Sequence, residues 1–184
     1  MALALNIIIL LLEARGLYIS FSARKMGNFV FYTQLSNMLC ALSCLVFIFF
    51  SGSAAAASLR YLGTVSLVMT FLVTICVLIP MGGDPGELLL RGNGIYHHVL
   101  CPVLCFVSYV FFERHAGMNM ILPSVLLTLA YGLTMLYLNW ARKVDGPYPF
   151  FRVYRQSAAA SVMWVLVLLA LIAGLSYGVC LIAR

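Results

Sequence analysis

Charge is scarce in this sequence. Of its 184 residues only 9% are charged, and only five are Asp or Glu. An ordinary soluble domain carries about 25% charged and roughly 45–50% apolar residues. Here the apolar share is 64% and the mean hydropathy +1.07. So few polar side chains leave a globule of this size uncovered, which excludes a soluble enzyme. A disordered chain is excluded too, because disorder needs low hydrophobicity. Cysteine pairing motifs are missing: Cys40, Cys44, Cys76, Cys101, Cys105 and Cys180 all lie in apolar stretches and none forms a C-x-x-C pair. They read as small, buried, reduced thiols, with no disulfide framework and no metal site expected. A basic stripe is also absent. The net charge of +6 comes from eleven scattered Lys and Arg, adjacent only at Arg24-Lys25 and Arg142-Lys143. That pattern argues against a nucleic-acid partner and for loops obeying the positive-inside bias of membrane proteins.

What the sequence has in quantity is apolar length. A transmembrane helix needs ~20 largely apolar residues. Six stretches qualify, over 2–21, 28–50, 59–81, 95–112, 120–140 and 158–183. The runs are continuous rather than alternating, so the expected fold is all-α: a single polytopic helical bundle over 1–184 with about six spans and no separate soluble domain. No positive charge precedes the first run, which favours a membrane helix over a cleaved signal peptide. Glu13 and Arg15 fall in its second half. Either could serve a site or snorkel from a helix end.

The connections are short. The third, 82–94, is rich in Gly around Leu88-Leu89-Leu90 and reads as re-entrant or interfacial. The fourth carries Arg114 and His115, and His115 is expected to be solvated. Loops one, three and five hold Arg24, Lys25, Arg91, Arg142, Lys143, Arg152 and Arg155, against Arg60, Arg114 and Arg184 on the other side. That bias places loops one, three and five in the cytosol.

Two polar stripes stand out. Thr33, Asn37, Cys40 and Cys44 share one face of the second span, with Ser36 beside them. His97, Cys101, Cys105 and Ser108 share one face of the fourth. Lipid disfavours such atoms, so both stripes should turn inward. By topology the second and fourth spans start on the same side. The fifth loop brings Pro147-Tyr148-Pro149-Phe150 to that surface. A hydroxyl, an imidazole and an aromatic turn can therefore meet there.

Threonine is a nucleophile only when a base takes its proton, and histidine is the usual base. Thr33 with His97 forms a candidate dyad. No carboxylate is placed behind His97 by the sequence. Asn37, Ser36 and Asn93 are candidate oxyanion or orienting donors. His98, Cys101, Cys40, Tyr148 and Phe150 are candidate lining residues. The bland alternatives hold beside these: Thr, Ser and Asn that only pair helices, a turn role for Asn93, packing cysteines, and belt aromatics.

Phe31-Tyr32-Thr33-Gln34-Leu35, Tyr96-His97-His98-Val99-Leu100-Cys101-Pro102, and Trp140 followed by Pro147-Tyr148-Pro149-Phe150 are similar to motifs of the androgen-induced-gene family of six-pass membrane proteins. Animal members are threonine hydrolases that split fatty-acid esters of hydroxy fatty acids. The resemblance implies Thr33 as nucleophile. It implies His97 as catalytic histidine, because His97 stands five positions before Pro102, and makes His98 the neighbour. It implies a fatty-acyl ester drawn from the bilayer as substrate, and no cofactor. The chain is shorter than the animal members, in keeping with a microbial branch. Two other readings of the residues stay open. One is a transporter or channel, with Glu13, Arg15 and the stripes lining a path. The other is a cofactor-binding module in which His97 and His98 ligate haem, although no other span carries a second histidine.

Overall fold

With no water around it, an apolar run has to satisfy its backbone N–H and C=O groups internally, so each run becomes a helix. In the computed structural model, which describes residues 1–113 and 117–183, the helices are α1 (Ala2–Arg24), α2 (Tyr32–Phe50), α3 (Ala54–Val73), α4 (Cys101–Phe112), α5 (Ile121–Trp140) and α6 (Ala158–Ile182). No strand occurs among the described residues. Arg114, His115 and Arg184 lie outside them.

The protein is an all-α multi-pass membrane bundle. Among the described residues, five helical segments are long and apolar enough to cross a bilayer, where the sequence suggests six. The remaining one, Tyr96–Phe112, is shorter: a five-residue π turn leads into the twelve residues of α4. At 1.5 Å per residue it covers about 25 Å. Some boundaries differ from the hydropathy pattern for local reasons. Ser53 starts α3 earlier, its hydroxyl accepting from the Ala56 N–H at 3.1 Å, and Ser157 caps α6 in the same way. Before α2, a tight 3₁₀ stretch, Lys25–Val30, and an extended Phe31 delay the helix to Tyr32.

The bundle is polar inside and apolar outside. Leu11, Phe49, Phe50, Leu126, Tyr137 and Leu166 point outward, while Asn6, Glu13, Asn37, Arg60, Thr64, His97 and Ser108 are fully buried. Both predicted stripes turn inward and meet, with Cys40 Sγ 3.7 Å from Cys105 Sγ as free thiols. Toward the end that holds loops two and four, an ion pair ties four helices. Arg60 grips Glu113 through Nε (2.8 Å) and Nη2 (2.9 Å), and reaches Ser43 at 3.2 Å. Asn6 and Ser108 donate to the same carboxylate at 2.8 and 2.6 Å. With its partners so placed, the pair survives full desolvation.

At the opposite end, loops one, three and five come together. Pro102, second in α4, offers no N–H to the His98 carbonyl, and its ring crowds that carbonyl. The backbone widens there: the Cys101 N–H bonds instead to the Tyr96 carbonyl, five residues back. A π turn takes up one more residue than an α turn. It buries the adjacent His97 and His98 in different surroundings. Loop three folds back over this turn. Gly94 permits the approach, since a Cβ there would lie 2.6 Å from the Leu88 carbonyl.

Candidate active site

Thr33 sits in the first turn of α2, where the helix dipole favours negative charge. Two tyrosine hydroxyls from other segments cap this turn. The Tyr32 N–H donates to Tyr131 OH at 3.0 Å, and the Thr33 N–H to Tyr148 OH at 3.2 Å. Tyr148 OH also lies 3.2 Å from Thr33 Oγ1. Burial pushes the Tyr148 phenol above its ordinary pKa, so it stays a protonated donor. Phe150 stacks on the Tyr148 ring at 5.2 Å and holds it in place.

The imidazole beside Thr33 belongs to His98, not to His97. His98 Nε2 is 3.3 Å from Thr33 Oγ1, and its Nδ1 is 2.7 Å from the Leu88 carbonyl. A carbonyl only accepts, so Nδ1 carries the proton and Nε2 presents its lone pair to the threonine hydroxyl. The Leu88 carbonyl thus does the orienting that a carboxylate does in a triad. The expectation that His97 faces Thr33 rests on the polar stripe drawn with regular α winding and on the offset from Pro102 in the family resemblance; the π turn changes the winding at this point.

His97 points deeper. Its Nδ1 lies 3.3 Å from Gln34 Nε2, and its Nε2 lies 3.8 Å from Glu13 Oε2. A carboxylate does stand behind His97, contrary to the sequence expectation, because α1 packs against the π turn Tyr96–Leu100 at Gly16, where any Cβ would collide with His97 Nε2. Both Glu13 oxygens and His97 Nε2 are buried without a hydrogen-bond partner.

The candidate oxyanion donors go elsewhere. Asn37 Nδ2 and Ser36 Oγ both donate to the Thr33 backbone carbonyl, at 2.6 and 3.0 Å. They orient the turn rather than face a reacting atom. Asn93 donates to Ser20 Oγ at 2.8 Å, tying loop three to α1. Cys101 and Cys40 pack with Ile9 and Leu67 in a second apolar cluster away from Thr33. Among the described residues, no three His, Cys, Asp or Glu side chains converge on a common metal position.

Two spaces meet at Thr33. One is a polar vestibule bounded by Arg24, Arg91, Asn93, His98 and loop five. The Arg24 guanidinium lies 4.9 Å above the Phe31 ring at its rim. The other is an apolar chamber between α3, α5 and α6. Thr33, Leu78 and Tyr148 line both. Such a junction accepts a molecule with an apolar tail, a polar remainder and a reactive bond between them. Comparison with known proteins finds no matching family model, no similar curated protein and no similar solved structure.

Proposed function

We propose that the protein is an integral membrane lipid-ester hydrolase with Thr33 as nucleophile. The observation that carries this reading is the Thr33 hydroxyl 3.3 Å from a histidine nitrogen whose tautomer is fixed by the Leu88 carbonyl, at the mouth of an apolar chamber. The likeness to the androgen-induced-gene family supports the same class. The geometry favours His98 over His97 as the base.

In this mechanism Thr33 Oγ attacks the ester carbonyl carbon while His98 Nε2 takes the hydroxyl proton. The Tyr148 hydroxyl, beside Thr33 Oγ1, donates to the oxyanion that develops at the carbonyl oxygen, aided by the α2 N-terminus. The intermediate collapses with loss of the alcohol oxygen, which receives the proton from His98. Water then attacks the acyl-threonine, gives its proton to His98, and the fatty acid leaves as Thr33 regains its hydrogen. The acyl chain occupies the apolar chamber and the alcohol portion the vestibule, so a fatty-acyl ester of a polar or carboxylated alcohol is the substrate class. Turnover of such an ester by the purified protein in nanodiscs tests the reading. Thr33→Ala is expected to abolish both turnover and fluorophosphonate labelling. Unchanged labelling in Thr33→Ala refutes the nucleophile.

A further inference from the structure

The apolar chamber has a wall that faces the bilayer. Leu133 lines it and is nevertheless 54% exposed, so at that point a single side chain of α5 belongs both to the chamber wall and to the outer surface. Beside it, Gly132 also lines the chamber, and a Cβ there would meet nothing within 4 Å. Along the span Ala54–Leu78, made of α3 and the π turn Thr74–Leu78 that continues it, the chamber runs from Leu78 to Met69. At 1.5 Å per residue those nine steps make about 13.5 Å of depth. Half of a ~30 Å hydrocarbon core is ~15 Å. An ester held at Thr33 at the shallow end therefore has its chain lying parallel to the lipids of one leaflet, over nearly their whole depth.

We infer that the gap between α5 and α6 is a lateral portal through which a single long acyl chain slides from the leaflet into the chamber, and that the missing side chain at Gly132 sets how much chain fits. The inference rests on the hydrolase reading for the position of the ester, but the chamber itself needs only an acyl chain. A chain reaching Thr33 by this route never leaves an apolar medium, so no desolvation step opposes entry. A bulky residue at position 132 has no wall to strike and projects into the space the chain needs.

Gly132→Phe tests this, with Gly174→Phe as control. Gly174 lies on α6 outside the chamber, and a Cβ there also meets nothing within 4 Å. Gly132→Phe is expected to lower kcat/KM for a palmitoyl ester by at least about tenfold, the effect of overfilling a packed site, and to leave an acetyl ester within about twofold. Gly174→Phe is expected to change neither. An equal loss on both esters, or no loss on the long one, overturns the portal. Photocrosslinking with a diazirine palmitate in nanodiscs reads the chamber without chemistry. Label is expected on 128–133 and 165–169 in the wild type and lost in Gly132→Phe. Crosslinking without turnover rejects the hydrolase and keeps the chamber. Label spread evenly over the outer faces of all helices rejects the chamber.

Discussion

Replacing each of the two histidines separately by alanine distinguishes their roles more sharply than any other pair of substitutions. In His98→Ala the Thr33 hydroxyl loses its one basic nitrogen partner among the described residues and keeps Tyr148, a protonated phenol 3.2 Å away. A positioned general base contributes about 10²–10⁴ in rate, which at ~1.36 kcal/mol per tenfold raises the barrier by about 3–5 kcal/mol. His97→Ala leaves the Thr33 contacts intact. It deprives the Gln34 amide of its 3.3 Å partner and opens a small void against Gly16, so its effect falls on stability, by about 1–3 kcal/mol for an unpaired buried amide. The assay is the pseudo-first-order rate of phosphonylation by a fluorophosphonate, divided by the folded fraction from size-exclusion profiles, and repeated with ester turnover. His98→Ala is expected to lose at least about a hundredfold in both. His97→Ala is expected to stay within a few-fold per folded molecule while melting earlier. Should His97→Ala, well folded, lose as much rate as His98→Ala, the tautomer argument built on Leu88 fails.

Tyr148→Phe removes an oxyanion donor and is expected to lower kcat by about 10²–10³ with little change in KM; an unchanged kcat would assign Tyr148 to capping alone. Because its folded pKa lies above the unfolded phenol value near 10, the native state holds this proton longer than the unfolded chain. Its stabilisation is full below pH ~10 and is lost as pH rises beyond it. Thermal melting of the wild type should therefore fall more steeply above that pH than melting of Tyr148→Phe. At the other end of the bundle, Arg60→Met or Glu113→Leu alone strands a buried charge and is expected to cost about 3–5 kcal/mol, while the double change recovers most of it; detergent melting of the three variants checks the cycle, and additive losses would show that the pair is not coupled.

Much of this arrangement is legible in the residues. The apolar runs set the helices, and the inward turn of both polar stripes follows from the cost of polar atoms in lipid. The parity of the spans brings Thr33, the two histidines and Tyr148 to one end. Position 97 against 98 is not legible from periodicity, because a stripe drawn through 95–112 assumes regular winding across Pro102, and the Pro102 offset that picks out His97 comes only from the family resemblance. The missing N–H of Pro102 is the signal for a change of winding. Glu13 announces itself as an acid in an apolar run, yet its nearness to His97 depends on α1 packing against the π turn at Gly16, a contact between residues 81 positions apart that no local pattern encodes. Asn37 and Ser36 sit one turn from Thr33 and invite an oxyanion role. Side chains at i+3 and i+4 in a helix reach back as readily to the backbone carbonyl, and these do.

The widened turn at Tyr96–Leu100 makes this stretch sensitive to length rather than to identity. Losing one residue from it would restore regular winding and rotate everything upstream by about 100° relative to α4. A different side chain would then look at the threonine, while the seam of α4 with its neighbours stayed as it was. Insertions and deletions here act as a rotary selector of the group that serves the hydroxyl, a route to new or silenced chemistry that leaves every residue type in place.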